Sequence, residues 1–111
     1  ARKKLGPARS PSEMSIGEYV NALRPRNNTE TALAIAGYLF KEQNQREFTT
    51  QDIEDGFHDI LRPLPGNTSQ AIANSVKQGF IMKRDKVEGV YHYSVTQSGL
   101  ERLQEGFGNN K

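Results

Sequence analysis

The sequence predicts an α+β fold that is mostly helical and carries one small antiparallel hairpin. Two patterns point to it. Apolar residues recur at helical spacing in five separate segments, and between Val90 and Val95 the pattern switches to period-two alternation, the mark of a half-buried strand. A third observation sets the scale: 111 residues, 34% of them hydrophobic and none of them cysteine, suffice for one lean core rather than two.

Residues 1 to 14 combine Arg2, Lys3, Lys4 and Arg9 with Gly6, Pro7 and Pro11, and are too poor in apolar side chains to order themselves. They read as a flexible basic arm ahead of a folded domain over 15 to 107, with a disordered tail at 108 to 111. Ser15 and Glu18 have the spacing of a capping box, and Ile16, Tyr19, Val20 and Leu23 follow on one helical face until Pro25 ends the helix at Arg24. A helix this short is not stable alone, so its stripe packs either on the body as a lid or on a second subunit. From Glu30 to about Asn44, apolar residues occupy most of the helix circumference, which makes this segment central. Its apolar run from Ala32 to Phe40 is less than half of the ~20 residues needed to cross a bilayer.

A short strand at Glu47 and Phe48 leads to Thr49, an N-cap with Asp52 three residues on; Phe48 and Ile53 can close over it as a hydrophobic staple. The helix begins at about Thr50, its buried stripe is Ile53, Phe57, Ile60 and Leu61, and Pro63 and Pro65 stop it near Arg62. Asn67, with Gln70 three residues later, restarts a helix that runs to Gly79 with Ile72, Val76 and Phe80 inward. A strand over 80 to 83, a polar turn over 84 to 89 and a return strand over 90 to 95 complete the hairpin, with Tyr91, Tyr93 and Val95 on one face. Thr96 opens the last helix, whose Leu100, Leu103 and Phe107 cover the core or pair with a twin.

That order of elements, two short helices joined by a turn and then a two-stranded ribbon, is the outline of a winged helix-turn-helix. The outer face of the helix after Asn67 carries Gln70, Asn74, Lys77 and Gln78. Asn and Gln bond bidentately to adenine's major-groove edge, and Lys reaches guanine or a phosphate; the alternative is a plain solvated face. Lys83, Arg84 and Lys86 gather positive charge at the hairpin, offset by Asp85 and Glu88. Charge is uneven overall: residues 1 to 26 carry +4 and the remainder -2. Affinity for phosphate backbones must therefore come from local clusters, not from bulk charge.

At Tyr93-Ser94-Val95-Thr96-Gln97-Ser98-Gly99-Leu100 the chain resembles the strand-to-helix junction of MarR- and PadR-type winged-helix regulators, with Val95 where Leu is usual. Val76 to Ile81 also resembles the end of their recognition helix. The resemblance covers roughly the last two-thirds of the chain. It implies that Gln70, Asn74 and Lys77 belong to a groove-facing helix and that Lys83 to Lys86 belong to a wing. The six-residue connector from Arg62 to Asn67 departs from the three- or four-residue turn of a tight helix-turn-helix.

Catalysis is not expected. His58 and His92 have no adjacent nucleophile pattern, there is no glycine-rich phosphate loop, and no cofactor or metal ligand set is assembled; Asp52, Asp55 and Asp59 read as a solvated face. The expectation is a cytoplasmic transcriptional regulator that binds double-stranded DNA. Gln70, Asn74, Lys77 and Gln78 would enter the major groove, while Lys83, Arg84, Lys86 and the arm residues Arg2, Lys3 and Lys4 hold phosphates. A homodimer through residues 15 to 24 and 97 to 107 would go with it. The alternative is a winged helix that docks a protein partner through the acidic face of the 52 to 59 helix.

Overall fold

Five helices and a two-stranded antiparallel hairpin follow one another in the computed structural model, which describes residues 15 to 107. The expected arm, with Arg2, Lys3 and Lys4, and the expected tail lie outside the described residues. The elements are α1 (Ile16–Leu23), α2 (Asn28–Glu42), α3 (Thr50–Asp59), α4 (Thr68–Lys77), β1 (Ile81–Val87), β2 (Val90–Val95) and α5 (Gln97–Glu105). No helix among the described residues is long and apolar enough to cross a membrane.

Helix α2 is the hub. Every other helix and strand β2 touch it, and its residues 31 to 37 are buried without interruption. It starts at Asn28, two residues ahead of the expected Glu30, because the Asn27 side chain accepts the Glu30 N–H at 2.9 Å and so supplies the N-cap. At Gly37 a Cβ would run into Leu103 Cδ1, so the missing side chain lets α5 close on α2. Helix α1 has the expected capping box and lies on the core as a lid, with Val20 fully buried and Ile16 and Leu23 packed beside it. Tyr19 meets Tyr38 edge-on at 5.7 Å between ring centroids, and burial, with help from the Glu42 carboxylate, pushes its hydroxyl above the usual phenol range. Helix α5 in turn buries Leu103, and Phe107 just beyond it, within the same core. The apolar stripes of α1 and α5 are thus used inside the chain, and a dimer through them would have to rest on their polar outer faces.

The end of α3 and the length of the hairpin also depart from expectation. Helix α3 ends at Asp59, not near Arg62, and Leu61 leaves the buried stripe: it is 92% exposed. The cause is a Schellman cap. The Leu61 N–H donates to the His58 carbonyl and the Arg62 N–H to the Phe57 carbonyl, both at 3.1 Å, which forces Leu61 to φ 60° and turns its side chain away from the helix face. The hairpin is also longer than expected. Strand β1 runs on to Val87, and Glu88 and Gly89, both at positive φ, form a two-residue turn of the primed type. Arg84 and Lys86 therefore sit on a strand and not in a loop.

The junction after α4 fastens the second half of the chain. Gly79, at φ 86°, turns the backbone out of the helix, and Phe80 donates its N–H to the Ser75 carbonyl at 2.9 Å. Thr96 Oγ1 donates to the Gly79 carbonyl at 2.6 Å and accepts the Gly99 N–H at 3.0 Å, while the Thr96 N–H donates to the Phe80 carbonyl at 3.0 Å. The Thr-x-x-Gly spacing has a steric reason as well: a Cβ at Gly99 would collide with the Phe80 carbonyl oxygen and lie 2.8 Å from Val95 Cγ1. Gly99→Ala is expected to lower stability by about 1–3 kcal/mol, the usual cost of overpacking, because the obstacle is backbone and cannot swing aside. Urea unfolding checks it, and an unchanged midpoint would mean that α5 can retreat from the hairpin.

Candidate nucleic-acid interface

Helix α4 forms because Asn67 accepts the Gln70 N–H at 3.0 Å and because its inward residues, Thr68, Ala71, Ile72 and Ser75, fall at i, i+3, i+4 and i+7. Val76 and Phe80, expected inside, are only partly covered. The buried stripe is thus rotated about the helix axis relative to the predicted one, which changes the outward face. Ser69, Gln70 and Lys77 are exposed with the small Ala73 among them, and Gln78 is exposed at the helix end.

Asn74 is turned toward α2. Its Nδ2 donates to Thr29 Oγ1 at 3.1 Å, and its Oδ1 accepts from Gln70 Nε2 at 2.9 Å. Both ends of the amide are engaged in a chain from Gln70 through Asn74 to Thr29, so Asn74 braces α4 against the start of α2. Lys77 forms no ion pair among the described residues, and α4 contains no carboxylate.

The hairpin cations are arranged in two different ways. A β-bulge between Lys83 and Lys86 inserts one extra residue opposite the Tyr91–Tyr93 step and puts both lysines on the tyrosine face. Their Nζ atoms lie 4.4 and 5.0 Å from the Tyr91 ring centroid, a cation–π arrangement on an exposed ring. Arg84 instead points toward Glu47, with Nε 3.6 Å from Oε2 of the carboxylate, while His92 Nδ1 lies 3.5 Å from its other oxygen, Oε1. The hairpin is anchored to the body by the Phe48–Tyr93 backbone bridge, over which the two rings stack at 5.9 Å. The short strand expected at Glu47 and Phe48 is this single bridge.

On α3 the three aspartates are not equivalent. Asp52 accepts the Thr49 N–H at 2.9 Å and Gln45 Nε2 at 3.1 Å, and Asp55 accepts from Gln51 at 2.9 Å. Asp59 stays exposed at the helix end. Among the described residues no three His, Asp or Glu side chains are grouped so as to hold a metal ion.

Beside α4 a cleft of about 700 Å³ opens between the start of α2, the end of α4 and α5. It takes in residues that the sequence reading passed over, notably Arg26, Thr29, Ser75 and Arg102. The available signal was Ser75, a polar side chain at an inward position of the α4 stripe. Arg26 at the cleft's edge grips Glu30 with Nη2 at 2.8 Å and Nε at 3.2 Å, and its own N–H donates to the same carboxylate at 2.8 Å. No protein-family model matches the chain, and neither a curated protein nor a solved structure matches it significantly.

The side-chain hydrogen bonds from Arg26 hold the Glu30 carboxyl below its ordinary range, with burial working against them. A carboxylate whose pKa is lower in the folded state contributes stability that is present above its unfolded value and is lost as pH falls through the folded one. The stability advantage of the native protein over Glu30→Gln is therefore expected to be largest near neutral pH and to shrink as pH drops through and below the usual carboxylate range. Thermal unfolding of both proteins across that range checks the sign; a gap that widens in acid would contradict it.

Proposed function

We propose that the chain is a winged helix-turn-helix domain that binds double-stranded DNA and regulates transcription, with α4 in the major groove and the β1–β2 hairpin as the wing. The observation that carries this reading is the outer face of α4: exposed Gln70 and Lys77 around small Ser69 and Ala73, with no carboxylate on the helix. An amide and an amine on a face free of negative charge match the acceptor-rich edges of purines and the phosphates that flank them. The order α2, Phe48 bridge, α3, α4, hairpin supports the same reading, as does the resemblance around Thr96 and Gly99.

Within this reading the amides have separate roles. Gln70 is the base-contacting candidate, Lys77 and the wing lysines neutralise phosphate, and Asn74 holds α4 at its angle through Thr29. Selection from random duplexes followed by anisotropy titration at several salt concentrations tests it. Lys77→Ala is expected to reduce the log–log salt slope by about 0.9 and to weaken cognate and random duplex alike. Gln70→Ala should remove about 1–3 kcal/mol of discrimination at one base pair and leave random binding nearly unchanged. Asn74→Ala should weaken cognate binding by loosening α4, and Thr29→Val, which cuts the same brace without touching the outer face, should reproduce most of that loss. If no duplex is enriched and no salt slope is measured, the reading is wrong.

A second reading, a winged helix that docks a protein, is favoured by the α3–α4 connector. Leu61 is 92% exposed at a positive φ and Leu64 is 43% exposed, beside the exposed Asp59. An apolar pair next to a carboxylate on a stiff, proline-rich turn suits a protein surface better than a phosphate backbone. A chain that fails every duplex titration would move to this reading.

A further inference from the structure

The cleft behind α4 has features that DNA contact does not require. Its roughly 700 Å³ lies in the range of small-molecule sites. One part of its wall is apolar, formed by Leu33, Phe80 and Phe107, and another is cationic, formed by Arg26, Lys77 and Arg102. The lining carboxylate, Glu30, is already held by Arg26, which leaves an excess of positive charge facing the space. Arg102 is fixed rather than loose: its Nη1 donates to the Gly106 carbonyl at 2.6 Å, its guanidinium lies 4.7 Å from the Phe107 ring centroid, and the exposed Glu105 carboxylate, 4.0 Å away, offsets part of its charge. Lys77 forms no ion pair among the described residues.

Ser75 supplies an independent observation. It lines this cleft, is 0% exposed, and its Oγ has no hydrogen-bond partner. A buried hydroxyl without a partner loses its hydration and gains nothing in return, so such groups are few in native proteins and point to a missing water, ion or ligand. Here the orphan belongs to a residue that lines the same cleft as the apolar and cationic side chains.

We infer that the cleft binds a small phosphomonoester with an apolar, ring-sized body. The body lies against Leu33 and Phe80, the phosphate dianion takes the charge of Lys77 and Arg102, and Ser75 Oγ donates to the ligand. The inference does not rest on the DNA reading, since the apolar wall and Ser75 lie off the outward face of α4, although Lys77, Gln78 and the Asn74–Thr29 brace border both.

The test is an NMR titration of the full chain, without DNA, using phenyl phosphate as the probe and inorganic phosphate and phenol as its two halves. Saturable shifts are expected at Thr29, Leu33, Ser75 and Gln78, with a Kd on the order of 1 mM, as a fragment of this size allows. Phenyl phosphate should bind at least about tenfold tighter than either half, because each half leaves one wall unsatisfied. Ser75→Ala and Lys77→Ala should each weaken it about fivefold or more, while Lys41→Ala, on the distal end of α2, leaves it unchanged. Ser75→Ala keeps the helix and removes only the hydroxyl, so a folded variant is available whatever Lys77→Ala does. Inorganic phosphate binding as tightly as phenyl phosphate would reduce the cleft to a cationic surface and overturn the inference. So would full-strength binding to Ser75→Ala, or no saturation at about ten times the expected Kd.

Discussion

The hydroxyl of Thr96 joins three elements at once. As donor it closes on the Gly79 carbonyl at the end of α4, as acceptor it caps α5 through the Gly99 N–H, and its own backbone N–H holds the Phe80 carbonyl at the start of β1. Because the same Phe80 carbonyl fills the space where Gly99 would carry a Cβ, α5 sits directly on the backbone that leads into the hairpin. The direction of the hairpin relative to α4 is thus set by hydrogen bonds between main chain and one side chain, not by the loose fit of apolar groups. Under the proposed function, a wing that meets a phosphate while α4 occupies the adjacent groove would need this kind of fixed angle.

The parts of the fold legible in the sequence were those governed by local chemistry. Ser15, Thr49 and Asn67 cap helices as their spacing indicated, Thr96 opens the last helix as expected, and Ile53 and Phe57 pack inward as their period required. What the sequence concealed depends on rotation and on competing caps. Leu61 has the right spacing for the α3 stripe, but the Schellman cap that ends α3 takes that residue into the left-handed region, where spacing no longer predicts direction. Glu88 is an uncommon choice for the first residue of a primed turn, so the hairpin looked shorter than it is.

The same kind of rotation decided the candidate interface. Ile72 was correctly read as inward, but the small and polar residues Thr68 and Ser75 share its face and Val76 lies toward the edge. A wheel drawn through Ile72 and Val76 therefore put Asn74 in the open, whereas a wheel drawn through Ala71, Ile72 and Ser75 puts it against α2. No property of Asn74 alone gives this away, because its partner Thr29 is 45 positions distant in sequence.

Electrostatics then separates the cations that share one formal charge. Arg84 faces Glu47, Arg26 holds Glu30, and Arg102 is tied to the turn at Gly106, so each guanidinium has a fixed geometry within the fold. The lysines are placed differently: Lys83 and Lys86 rest on the exposed Tyr91 ring, and Lys77 lies at the rim shared by the α4 face and the cleft. A point charge on a flexible stem can follow a phosphate without disturbing the core, whereas a planar guanidinium locked to a carbonyl keeps its neighbours in register. The arginines therefore hold the elements in place, and under the proposed function the lysines would be the charge that a phosphate meets first. On this division, α4 would meet an anion on either of the two proposed sides, and Asn74, bonded to Gln70 and Thr29, fixes the helix between them.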